Sequence, residues 1–236
     1  ITATGNNTLT FAGTVNGAHQ LAVNATNSTV FFQGPIGNET PLRALSITAQ
    51  NTFFADKVTT RGDVTLNGTI TLTNRAEIVA RSGAITATGT LIGQNSPVLL
   101  TADDNITLAD IFSDSGITLR SDAVITANHL RSPGQSIIVQ AHDRMTLGRV
   151  DSSSATGNGG AVWLDPHGNI VVHSINTQGG PNGVGGKVEI FTDRFFLASG
   201  TFVDLNGILA SISTAGGAGG GAITIRHGGS DAVAFN

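Results

Sequence analysis

Residues 98–120 read Val98-Leu-Leu-Thr-Ala-Asp-Asp-Asn-Ile-Thr-Leu-Ala-Asp-Ile-Phe-Ser-Asp-Ser-Gly-Ile-Thr-Leu-Arg120. Apolar and polar residues alternate in steps of two, a turn interrupts them, and the alternation resumes. A period of two sends successive side chains to opposite faces of a strand. Asp103-Asp-Asn and Ser113-Asp-Ser-Gly are turns, because short polar side chains bond their own backbone and Gly permits the reversal. No helical stripe at i, i+3, i+4, i+7 appears here or elsewhere in the chain.

Working outward, the same unit recurs. Alternating runs start at Leu21, Leu45, Val64, Ile85, Val98, Ile117, Ile137, Val162, Val188 and Ile223, at intervals of 24, 19, 21, 13, 19, 20, 25, 26 and 35 residues. Between starts a second and sometimes a third strand follows, as in Met145-Thr-Leu after Ala141-His-Asp-Arg. A period near 20 with two or three strands and no helix predicts a β-solenoid. The expected fold is all-β, a right-handed parallel β-helix of about ten coils of roughly 20 residues. The interval of 13 marks either a short coil or a misplaced start. An antiparallel sandwich stays open, since strand–turn–strand spacing does not reveal which strands pair.

The expected organisation is 1–192 as β-helix coils, with 193–236 as a long apolar loop, a Gly-rich turn and a terminal coil of the same solenoid. Residues 193–214 carry Phe195, Phe196, Phe202, Val203, Leu205, Ile208 and Leu209, expected to pack among themselves as a flap. The stretches Ser152-Ser-Ser-Ala-Thr-Gly-Asn-Gly-Gly, Gly179-Gly-Pro-Asn-Gly-Val-Gly-Gly and Ala215-Gly-Gly-Ala-Gly-Gly-Gly each precede a strand start, predicting stacked turns on one edge.

Composition narrows the function. Only 12% of residues are charged and 5% aromatic, with 39% apolar, Gly at 31, and no Cys or Tyr. That is too much apolar content for a disordered chain. The net charge of −4 with scattered Lys and Arg offers no basic stripe or aromatic ladder for nucleic acid. No apolar run reaches the roughly 18–20 residues of a membrane-spanning helix. The absence of Cys removes disulfides and thiolate metal sites. The start, Ile1-Thr-Ala-Thr-Gly, carries neither an initiator Met nor a signal segment, so a processed product or an excerpt is expected.

The second half holds Gly159-Gly-Ala-Val-Trp-Leu, Gly168-Asn-Ile-Val-Val, Ile175-Asn-Thr-Gln-Gly-Gly and Gly185-Gly-Lys-Val-Glu-Ile. Then comes Ala210-Ser-Ile-Ser-Thr-Ala-Gly-Gly-Ala-Gly-Gly-Gly-Ala-Ile-Thr-Ile-Arg-His-Gly-Gly. These segments resemble the filamentous-haemagglutinin-like exoproteins of two-partner secretion, especially the large cyanobacterial ones, some of which carry a downstream CHAT peptidase domain. The 210–229 run is the specific one; the first half matches in style, as in Val64-Thr-Leu-Asn-Gly. The resemblance implies a right-handed β-helix, export to the bacterial cell surface or medium through an outer-membrane secretion partner, and adhesion or matrix formation. It supplies no catalytic residues.

Some parallel β-helices act on polysaccharides, so the acids need weighing. Glycoside hydrolysis needs two carboxyls roughly 5–10 Å apart. Asp103 and Asp104 are adjacent, Asp110, Asp114 and Asp122 follow, and stacking would bring Asp104 near Asp122 or Asp143 near Asp165. Turn positions favour capping for these acids, and no Lys or Arg is clearly stationed beside them as a lyase base. Of His19, His129, His142, His167, His173 and His227, the pair His167 and His173 spans a turn with Asp165 as the near third ligand; solvent-facing histidines are the expectation. Arg61-Gly-Asp63 matches an integrin-recognition tripeptide, and sequons such as Asn67-Gly-Thr69 recur. Chance in Asn-, Thr- and Gly-rich strands accounts for both. No catalytic, cofactor-binding or metal residue is therefore assigned.

The expected function is a structural or adhesive rod segment of a large secreted surface protein, not an enzyme. The alternatives are a self-assembling fibre subunit joined end to end, or a polysaccharide-active β-helix. Expected partners are flanking coils of the same polypeptide or neighbouring subunits, with cell-surface or carbohydrate ligands. Asp231-Ala-Val-Ala-Phe-Asn236 is a candidate added strand for a neighbour.

Overall fold

The computed structural model describes residues 1–229, so the 231–236 segment lies outside the described residues. The fold is a parallel β-solenoid of about eight turns, with no helix among the described residues. The chain divides into two compact units, residues 1–115 with 119–122, and residues 116–118 with 123 onward.

In the first unit one sheet stacks Thr8–Phe11, Gln20–Phe32, Ala44–Phe54, Val64–Leu72, the short strands Ile85–Ala87 and Leu91–Gly93, and Ile106–Ser113, all parallel. A second sheet stacks Val58–Thr60, Glu77–Ala80 and Val98–Ala102. In the second unit Ile125–Arg131, Met145–Asp151 and Ile170–Asn176 form one sheet, continued by Phe196–Ala198 and Ile212–Ser213. The other stacks Ile137–Ala141, Val162–Pro166, Val188–Thr192 and Ile223–His227. Among the described residues the one antiparallel pair is Phe202–Val203 with Leu209–Ala210, so the sandwich alternative falls.

Pairing also explains the interval of 13. Leu21, Leu45, Val64 and Ile85 stand in one column, followed by Ile106, whereas Val98 belongs to the other sheet. The series of starts crosses from one sheet to the other at that point and counts one turn twice. True column intervals from Leu21 to Ile106 are 24, 19, 21 and 21 residues.

Strand alternation carries the core. In Ile137–Ala141, Val162–Pro166 and Val188–Thr192, every second residue is buried. Val162, Leu164, Val188 and Ile190 are essentially inaccessible. Each such side chain contributes about 1.5–3 kcal/mol relative to exposure. The residues between face outward, Trp163 among them at 39% exposure between Ile138 and Glu189.

The Gly-rich stretches of the second unit stack, and each is closed at its base by a pair of bonds. Gly160 N–H donates to Ser152 O (2.8 Å) while Ser152 Oγ donates to Gly160 O (2.7 Å). Thr177 and Gly186 repeat this at 2.6 and 2.7 Å, and Thr214 and Gly221 at 2.9 and 2.8 Å. The loops lie too close for side chains: a Cβ at Gly186 would stand 1.9 Å from Gly160 O, and one at Gly185 would stand 1.7 Å from Thr214 O.

Residues 193–214 depart from the expected flap. Phe196–Ala198 and Ile212–Ser213 pair with the preceding coil, so the sheet continues through this segment. Between them a hairpin projects, and Val203, Leu205, Ile208 and Leu209 are 59–68% exposed. Asp204 braces the tip: its Oδ1 accepts the N–H groups of Asn206 and Ile208. The Ile208 bond, chiefly, holds the Asp204 carboxyl below its ordinary pKa against the opposing effect of desolvation. The Asn206 N–H and the Ser213 hydroxyl add to the lowering.

Candidate functional site

Three consecutive coils of the second unit turn the same corner in three residues each. Strands ending at Ala141, Pro166 and Thr192 lead into strands beginning at Met145, Ile170 and Phe196. The corners between them are His142-Asp-Arg144, His167-Gly-Asn169 and Asp193-Arg-Phe195. Register on both sides aligns them. His142, His167 and Asp193 form one column, Asp143, Gly168 and Arg194 the next, and Arg144, Asn169 and Phe195 the third.

Backbone and side-chain bonds hold the corners. Gly168 N–H donates to Asp143 O at 2.6 Å, and a Cβ at Gly168 would stand 2.6 Å from that oxygen. Thr192 Oγ1 donates to Gly168 O (2.6 Å) and accepts from Arg194 N–H (3.1 Å), fixing the entry to the third corner. The result is an open groove of about 660 Å³ lined by His142, Asp143, Arg144, His167, Asn169, Arg194 and Phe195, with Gly168 and Gly229 adding no side chain.

Electrostatically this is a concentration of ionisable groups in a charge-poor chain. His167 Nδ1 lies 2.9 Å from Asp193 Oδ2, and its ring meets that of His142 edge-on, centroids 5.2 Å apart. The bond to Asp193 raises the His167 pKa above its ordinary value. Desolvation opposes this, and the negative charges of Asp193 and Asp165 reinforce it. Both partners are solvent-exposed, with side chains 70% and 75% accessible.

The structure distributes the sequence candidates differently. His167 meets His142 and Asp193, while His173 sits within the Ile170–Asn176 strand against Gly200, whose N–H donates to the His173 carbonyl at 2.8 Å. Asp165 is not level with Asp143: it pairs with Gln140 inside a strand, and Gly168 takes the place beside Asp143. Asp122 N–H bonds Ala102 O as Asp103 N–H bonds Ala80 O, so Asp122 follows the column of Asp103 rather than Asp104. Asp104 caps the Asn105 N–H at 2.7 Å, and Asp114 accepts from Asn95 N–H at 3.1 Å; both are turn roles. Among the described residues no three His, Cys, Asp or Glu side chains are arranged to hold a metal ion.

Asp63 of the Arg61-Gly-Asp tripeptide is used internally, its Oδ1 accepting Ala84 N–H at 2.9 Å. The Asn67 amide of one sequon bridges two coils, donating to Thr48 Oγ1 (3.2 Å) and accepting from Thr88 Oγ1 (2.9 Å). Sequence reasoning missed the His142–His167–Asp193 column. The available signal was the repeated three-residue gap between paired strands, at steps of 25 and 26 residues.

No protein-family model, curated protein or solved structure matches this chain.

Proposed function

We propose that the chain is a structural and adhesive segment of a large secreted bacterial surface protein, serving cell adhesion or an extracellular matrix. The observation that supports this best is the economy of the coil. Buried Val, Ile and Leu ladders build the interior, while outward strand positions and clasped Gly loops form a repeated, mostly uncharged surface. Such stacking gives stability that sums over neighbouring repeats, the property a load-bearing surface protein uses. The resemblance of residues 159–229 to two-partner-secretion exoproteins adds the route, an outer-membrane secretion partner, and the location outside the cell.

Adhesion is tested with beads coated by the chain and presented to cells and immobilised glycans, beside the same chain after thermal unfolding. Binding that disappears on unfolding is expected. Cleavage of any polymer in a panel of neutral and acidic polysaccharides would replace this reading with a catalytic one.

A second reading, a fibre subunit joined end to end, is favoured by Ile223 and Ile225. They pair with the fully buried Val188 and Ile190, yet are 47% and 39% exposed. Core positions left open in the last described coil suit a further strand. Light scattering that shows only monomer across a wide concentration range removes this second reading.

A further inference from the structure

We propose that the His142–His167 pair is a binding site for a tetrahedral divalent transition-metal ion, with zinc as the ion that its geometry fits. The two imidazoles come from adjacent coils at one register, and parallel pairing on both sides of the corner fixes their spacing. With nitrogen–zinc bonds of about 2.0–2.1 Å and a ring centre about 1.1 Å behind its ligating nitrogen, an ion held by both rings lies about 3.2 Å from each centroid. The observed 5.2 Å between centroids then corresponds to about 109° at the metal, the tetrahedral angle. Both rings are exposed, and the His167 ring is held through its Nδ1.

The third member of the column supplies orientation. Asp193 Oδ2 sits 2.9 Å from His167 Nδ1. A carboxylate there accepts a hydrogen bond from Nδ1–H, which fixes the tautomer with the Nε2 lone pair free and makes the imidazole a more basic ligand. Asp193 is a positioning residue, acting through His167. Gly168 leaves the adjoining groove open, so two water molecules or outside donors complete the coordination. Asp143, Arg144 and Arg194 line the groove, and the negative charges of Asp165 and Asp193 act on His167. A two-imidazole site binds exchangeably, and it ties two coils together at a corner.

The test is calorimetric titration of the tag-free 236-residue chain with zinc chloride above neutral pH, paired with visible absorption after cobalt substitution. One equivalent of zinc and a tetrahedral cobalt spectrum are expected. His142→Ala and His167→Ala should each lower affinity at least tenfold, His173→Ala should leave it unchanged, and Asp193→Asn should weaken it about tenfold. Circular dichroism verifies that these surface variants keep the fold. The proposal is overturned by less than one equivalent bound, by an octahedral cobalt spectrum, or by affinity that survives His142→Ala.

Discussion

The two units reach the same parallel architecture with different interior chemistry. The first relies on aromatic stacking: Phe11 lies on Phe32 with ring centroids 4.5 Å apart and Phe32 on Phe54 at 5.3 Å. Phe31 and Phe53 repeat the stack on the other face at 4.6 Å. These distances follow the strand spacing of about 4.8 Å, so identical residues one coil apart stack face to face. Two of its strands are long, Gln20–Phe32 and Ala44–Phe54 having 13 and 11 residues. In the second unit the strands between Ile137 and Thr192 have five to seven residues, and three Gly-rich loops are each closed by a hydroxyl. Large side chains order one unit through area, and small ones order the other through close backbone approach and hydrogen bonds.

That contrast breaks first at Phe54, which is fully buried. Phe54→Ala should cost about 3–5 kcal/mol, and hydrogen exchange should show the loss concentrated in the first unit. Equal acceleration in both units would mean that they do not differ in local stability. The corresponding probe of the second unit is Gly186→Ala, which forces a methyl against Gly160 O. A loss of about 1–3 kcal/mol in chemical denaturation is expected.

The hydroxyl contribution is sharpened by two serines one coil apart. Ser152 and Ser132 are equally inaccessible, but Ser132 Oγ has no hydrogen-bond partner among the described residues. Ser152→Ala should therefore cost about 1 kcal/mol, and Ser132→Ala should be neutral or slightly stabilising in the same denaturation assay. Equal costs would show that the clasp bond adds nothing beyond packing.

The smallest effect lies at the corner. Proton NMR should place the His167 midpoint above the ordinary histidine value, and Asp193→Asn should return it toward that value. Because the folded pKa is raised, the pair's stabilisation is complete below the ordinary histidine pKa and fades as pH rises through the higher folded one. Exposure of both partners keeps this invisible in a denaturation midpoint. A His167 midpoint unaffected by Asp193→Asn would remove the ion pair from solution.

Much of this fold is legible in the sequence because a strand's side-chain period is two, and Val162-Trp-Leu or Ile137-Ile-Val state their buried face directly. Column identity is less legible. Ile85 and Val98 carry the same local pattern, and only pairing assigns them to different sheets. Residues 193–214 mislead for another reason. Their aliphatic content suggests burial, but the bonds to Asp204 fix a projecting tip, and hydrophobicity alone does not encode direction. The corner column was hidden because its members lie 25 and 26 residues apart, a distance that becomes contact only after each loop length is known.

The clasps carry a consequence for how such a chain tolerates change. Ser152 reaches across 8 residues to Gly160, Thr177 across 9 to Gly186 and Thr214 across 7 to Gly221, yet each closure returns the chain to the same rung. Loop length is thereby uncoupled from phase. An insertion or deletion between clasp residues changes the residue count of a coil without shifting the strands on either side, so evolution can lengthen the surface coil by coil while the interior keeps its step.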